Sequence, residues 1–159
     1  MKKSLLLAAV LSIFGSTCFA TVPQSELALG GIVPGNSPTH VQNIFGEPTK
    51  IKYESGQYAD PRMKTFIYGK SFEVQFFETF GLLIKTTANN GIGTPSGIHV
   101  GSSIDEVKRS LGKPDKLPPH LRSKKDVLRY IDEPYTRELL VYVKNGKVVK
   151  MTLAPAEAY

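Results

Sequence analysis

The chain has 159 residues, a formal net charge of +6 at pH 7 and 41% hydrophobic side chains, with one cysteine and no tryptophan. That length suits one domain or two small ones in contact and argues against a larger assembly of domains. A lone cysteine excludes an intramolecular disulfide framework.

Met1-Lys2-Lys3, an apolar run from Leu5 to Phe14 and the small residues Gly15 to Ala20 read as a secretory signal peptide over residues 1–20. The mature chain then begins near Thr21 and is expected to be periplasmic or secreted. Nothing later approaches the roughly 20 apolar residues of a membrane helix, so the mature chain is expected to lack a transmembrane segment. An alternative reading makes Cys18 the lipid-anchored first residue of a lipoprotein. After the leader, residues 21–91 carry six basic and six acidic side chains, whereas residues 92–159 carry twelve and eight. The basic character belongs to the second half.

Ile32 to Pro48 and Ile98 to Pro114 align at a constant offset of 66 positions that matches Ile, Gly, Ser, Val, Gly and Pro. In the first copy Ser37 is an N-cap, Pro38 opens a helix, Val41, Ile44 and Phe45 share one face, and Gly46 with Pro48 ends it. A polar loop from Glu54 to Pro61 follows. Strands are predicted at Ile51–Tyr53, Thr65–Tyr68, Phe72–Phe76 and Leu82–Thr86, with Phe72, Val74 and Phe76 alternating against polar neighbours. The turn-rich stretch from Asn89 to Gly97 marks the boundary between the copies.

In the second copy Ser103 and Glu106 form a capping box, Ile104, Val107 and Leu111 form the apolar face, and Gly112 and Pro114 stop the helix. Strands are predicted at Val127–Tyr130, Leu139–Val143 and Lys147–Leu153. Asn145-Gly146 is a two-residue hairpin signal, because both positions require positive φ. From that turn, Tyr142 is expected opposite Val149 and Leu140 opposite Met151. The offset of 66 maps Leu140 and Tyr142 onto Val74 and Phe76, which assigns them to the face that receives the helix. The predicted fold is α+β: two tandem repeats, 21–91 and 92–159, each a short helical layer packed on a small antiparallel sheet.

A helix-capping Gly-x-Ser, a short helix closing in Phe/Leu-Gly-x-Pro, a tyrosine-bearing strand and a closing hairpin resemble the repeat of the beta-lactamase inhibitor protein. They are also similar to the SmpA/OmlA type of outer-membrane-assembly lipoprotein. The resemblance implies strands aligned into one concave surface, and a hairpin tip of the first repeat, here Glu78 to Gly81, that enters a partner's cleft. The disulfides and tryptophans of the inhibitors are absent from the mature chain.

Candidate partner-binding residues lie where the copies differ. They are Tyr58 in the first loop, Glu78 and Phe80 at the first hairpin tip, and His120, Arg122, Lys124 and Lys125 in the basic second loop. Lys144 and Lys147 flank the Asn-Gly turn. Aromatic residues at interface centres often carry binding energy, and a basic loop suits an anionic envelope component or an acidic protein face. Catalytic residues, metal ligands and cofactors are expected to be absent: no HExxH, Gly-x-Ser-x-Gly or phosphate-binding glycine loop occurs, and His40, His99 and His120 are scattered. The expected function is that of an exported, non-catalytic binding protein that engages a protein or envelope partner through its sheet surface and hairpin tips, and nucleic acid is not expected. The alternatives are an inhibitor of a secreted hydrolase such as a beta-lactamase, and an accessory of envelope or outer-membrane assembly.

Overall fold

The computed structural model describes residues 22–54, 60–133 and 136–156. The leader, Cys18 and Tyr58 lie outside the described residues. Two helices form, α1 (Pro38–Phe45) and α2 (Ile104–Leu111), and seven strands, β1 (Lys50–Tyr53), β2 (Met63–Tyr68), β3 (Phe72–Phe77), β4 (Phe80–Thr86), β5 (Val127–Ile131), β6 (Arg137–Lys144) and β7 (Lys147–Pro155).

Both helices begin where the capping residues require. The Ser37 hydroxyl accepts the His40 amide, and Ser103 and Glu106 form a complete capping box. Both end at a glycine of positive φ, Gly46 and Gly112, a conformation that β-carbon-bearing residues avoid. Eight residues are too few for a stable isolated helix, so each is held by docking. The docking is alike at both ends of each helix. Tyr68 donates to the Gly46 carbonyl and Tyr130 to that of Gly112, at 3.2 and 3.4 Å. Ahead of α1, the Gly35 amide donates to the Gly81 carbonyl and the Gly81 amide to that of Asn36; ahead of α2, Gly101 and Ser102 trade the same two bonds with Val148. The first pair is the closer approach: a Cβ at residue 81 would lie 3.0 Å from the Asn36 carbonyl oxygen, a tight contact that glycine avoids.

The strands do not form two small sheets. They make one antiparallel sheet in the order β1-β2-β3-β4-β7-β6-β5, so the expected fold of two tandem helix-on-sheet repeats is corrected to a single seven-stranded sheet carrying two short helices. The joint is β4 against β7, where Ile84, Lys85 and Thr86 oppose Leu153, Thr152 and Met151. One buried cluster spans it. Val74, Phe76 and Ile84 pack with Val141, Met151 and Leu153 beneath Val41 of α1, Val107 and Leu111 of α2, and the N-terminal residues Leu27, Leu29 and Ile32.

The Asn-Gly hairpin forms with Asn145 at φ 51° and Gly146 at φ 74°. Lys144 opposes Lys147 and Val143 opposes Val148 as that turn demands. Beyond them Tyr142 opposes Lys150 rather than Val149, and Leu140 opposes Thr152 rather than Met151. Val149 is the extra residue of a β-bulge, and Leu82 plays that part between Gly81 and Leu83 in the β3–β4 hairpin. The helix face of β6 is therefore Leu139, Val141 and Val143, all buried. Leu140 and Tyr142, expected on that face, lie on the opposite one.

Candidate binding face

Alternation puts a second set of side chains on the face away from the helices. The registers connect seven of them in one row across the whole sheet: Lys50, Ile67, Glu73, Lys85, Thr152, Leu140 and Arg129. A flanking row runs through Lys52, Thr65, Gln75 and Leu83, and on the other side Lys150 opposes Tyr142, which opposes Val127.

Among the described residues, only the β5 margin of this face is covered. Residues following α2 fold across it: the Asp115 amide donates to the Arg129 carbonyl, the Ile131 amide donates to the Asp115 carboxylate, and the 3₁₀ turn Pro119–Leu121 buries Leu121. Under this cover Arg129 meets Glu138 at 3.1 Å and donates to the Lys116 carbonyl, with both side chains of the ion pair about 8% exposed. Removing Arg129 would leave the buried Glu138 carboxylate without this counter-charge.

Between the 3₁₀ turn and the bare strands lies a hollow of about 330 Å³, lined by His120 and Leu121 above and by Leu83, Lys85, Leu140, Tyr142, Lys150 and Thr152 below. A second hollow of about 330 Å³ continues from it over Lys52, Thr65, Ile67, Glu73 and Gln75. Leu83 and Lys85 line both, so the two form one groove across the strands. Lys85 is held by Glu73 at 2.8 Å. The Lys150 ammonium stands 3.5 Å from the centre of the Tyr142 ring. Such an arrangement positions a cation without neutralising it.

The residues singled out in the sequence fall in four places. Of those that are described, His120 alone lines the groove. Glu78 occupies the β3–β4 turn at φ 52°, within 3.5 Å of Arg62, and Phe80 opens β4 with 59% of its surface exposed. Phe80 opposes Phe77, which puts both on the groove side. Lys144 and Lys147 sit at the other end of the sheet, because β4 and β7 run antiparallel from their turns. Counting along the register, the two tips are about 30 Å apart at ~3.4 Å per residue. Lys147 also has a partner within the chain, donating to the Gly101 carbonyl at 3.5 Å. Its charge, after the stronger Ser103 hydrogen bonds, helps hold the Glu106 carboxyl below the usual range. Arg122, Lys124 and Lys125 are exposed on the covering segment, with Arg122 reaching the Leu117 carbonyl.

Sequence reasoning passed over Leu83, Lys85, Leu140, Tyr142 and Lys150 as site residues. The signal that could have found them is the polar alternate set of β3, Glu73 and Gln75, extended across the sheet. Among the described residues no group of three or more His, Cys, Asp or Glu is placed to hold a metal ion, and no helix is long and apolar enough to cross a membrane.

No protein-family model and no curated protein matches the chain. Solved structures do. A cysteine-rich secretory protein from Staphylococcus aureus superposes with a TM-score of 0.59 at 12% identity, covering 85% of this chain and 48% of that one. An extracellular protein containing a SCP domain from Bacillus anthracis does so with a TM-score of 0.55 at 12% identity, covering 98% and 50%. This chain thus spans about half the length of either, and the likeness is one of fold. A candidate beta-lactamase inhibitor protein from Streptococcus mutans aligns over 86% of this chain and 91% of its own at 13% identity, with a TM-score of 0.31.

Proposed function

We propose that the protein is an exported, non-catalytic binding protein that engages a protein partner through the bare face of its sheet. The observation that carries this reading is the asymmetry of the sheet. One face is buried under the helices and the N-terminal segment, while the other presents Ile67, Leu83, Leu140 and Tyr142 among charged side chains, with cover from the described residues only at β5. A half-exposed apolar surface rimmed by polar groups marks an interaction site on a soluble protein. The two solved structures of shared fold are described as a secretory and an extracellular protein, which supports export. The N-terminal leader read from the sequence points the same way.

Affinity capture from an envelope extract or culture supernatant of the source organism tests this reading. Leu83→Glu places a charge in the middle of the groove without entering the core. A folded variant should retain its partner at least about tenfold less well, as expected of a central contact. Equal capture by the variant would exclude the face. Inhibition of a secreted hydrolase is the narrower form of the same reading, and a beta-lactamase panel assayed with wild type and Leu83→Glu would detect it as slowing by the wild type only. Service in envelope assembly would instead appear as capture of an outer-membrane component with no enzyme slowed.

A further inference from the structure

We infer that the groove receives an acidic, extended segment of its protein partner, with Lys52 and Lys150 as the two anion contacts and Leu83 as the apolar seat between them. This inference rests on the protein-binding reading above. It adds the chemistry of the partner.

Charge is the first argument. The two carboxylates of the groove are already engaged, Glu73 by Lys85 at 2.8 Å and Glu138 by Arg129 at 3.1 Å. Lys52 and Lys150 line the same groove, and among the described residues neither has a carboxylate within ion-pair distance. The groove therefore carries two ammonium groups available to an incoming anion. Lys150 is also pre-positioned by the Tyr142 ring, which lowers the ordering cost of using it.

Shape is the second argument. The groove is floored by adjacent strands and runs across them, so it is long and shallow rather than enclosed. Lys52 on β1 and Lys150 on β7 are separated by four strand spacings and are also offset along the strands. At ~4.8 Å per strand and ~3.3 Å per residue they stand roughly 20 to 25 Å apart, the length of about seven extended residues. A fitting segment has carboxylates near both ends and an aliphatic side chain midway. Each exposed contact supplies little alone, and the aliphatic anchor supplies the water exclusion that strengthens both.

The test uses the full mature protein, isotope-labelled for NMR, and a capped peptide with a central leucine, a glutamate three positions to either side, and serine or threonine elsewhere. Titration should shift the amides of Leu83, Lys85, Leu140 and Thr152. Replacing both glutamates by glutamine should abolish the shifts. Lys52→Gln and Lys150→Gln should each weaken binding roughly two- to fivefold, and raising salt to about 0.3 M should do so further. Equal binding of the glutamine peptide, or shifts confined to the Arg122–Lys125 loop, would overturn the inference. So would lysine-dependent binding to phosphatidylglycerol vesicles with none to the peptide. If Leu83→Glu abolishes capture of the natural partner but the Lys52→Gln, Lys150→Gln double variant captures it undiminished, protein binding stands and the acidic segment falls.

Discussion

At the scale of single residues, Asp132 shows how a buried charge is made tolerable. Its carboxylate is fully buried and accepts three hydrogen bonds at 2.7 Å, from the Thr136 amide and hydroxyl and from the Arg137 amide. Burial alone would raise its pKa, but these donors together hold it below the ordinary value of 3.8. The bonds matter to the fold because Arg137 in turn donates to the Gln24 and Leu27 carbonyls, tying down the N-terminal segment. A depressed folded pKa means that the carboxylate stabilises the fold above about pH 3.8, and that this contribution is lost as pH falls through the folded value. Asp132→Asn should therefore be less stable than wild type by a constant margin from neutrality to about pH 4, in urea titrations monitored by circular dichroism, and the margin should shrink at lower pH. A margin unchanged at pH 2 would mean that charge is not what Asp132 contributes. None of this was visible in the sequence, since no local motif announces that Thr136 and Arg137 donate to Asp132.

At the scale of elements, the helices were legible and the strand register was not. Ser37, Pro38, Ser103, Glu106 and the terminal glycines act locally, within four residues of the groups they satisfy, so sequence alone places both helix ends. Ser103→Ala should lower stability by about 1 kcal/mol in denaturant melts with an unchanged slope, as loss of an N-cap does. The sheet face failed for a definable reason. Helix starts match at an offset of 66, but the strand positions that receive them, Gly81 and Val148, differ by 67. A slip of one residue sends every side chain of a strand to the opposite face, which is how Leu140 and Tyr142 came to be assigned to the core. The bulges at Leu82 and Val149 hide this further, because the extra residue has no side-chain signature of its own. Deleting Val149 should put β7 out of phase with either Val148 and its docking bonds or Met151 and the core. The variant should melt well below wild type, whereas Val149→Ala, at a position 40% exposed, should melt close to it.

For the whole molecule, the decisive contact joins residues far apart in sequence. β4 and β7 meet through three paired positions, and nothing in either strand alone says that they are neighbours. Two small sheets and one continuous sheet demand the same alternation, turns and caps, so the sequence pattern could not choose between them. The continuous core makes a thermodynamic statement that can be checked. Ile84→Ala on β4 and Leu153→Ala on β7 should each cost about 2–5 kcal/mol and shift one common thermal transition, with calorimetric and van't Hoff enthalpies equal. Because the two residues oppose each other, the double variant should fall short of the sum. Two separable transitions, each moved by only one substitution, would contradict a single folding unit. The same continuity makes the groove: its two hollows share Leu83 and Lys85 beside the β4–β7 joint, so a face wide enough for a partner exists only once both halves are paired.

The two margins of the sheet are not alike. At β5 the Asp115 segment occupies the outer backbone groups, whereas β1, among the described residues, pairs only with β2 and has all four of its residues exposed. Among the described residues, it is the β1 side that is open to extension. Strand exchange, template-driven misassembly or fibre growth would find its opening on the Lys50–Tyr53 side, and the alternate lysines there act as the guard, since adding a further strand would crowd like charges against an incoming copy. The lysine that invites an acidic guest onto the groove is thus one of the pair that turns this protein away from itself.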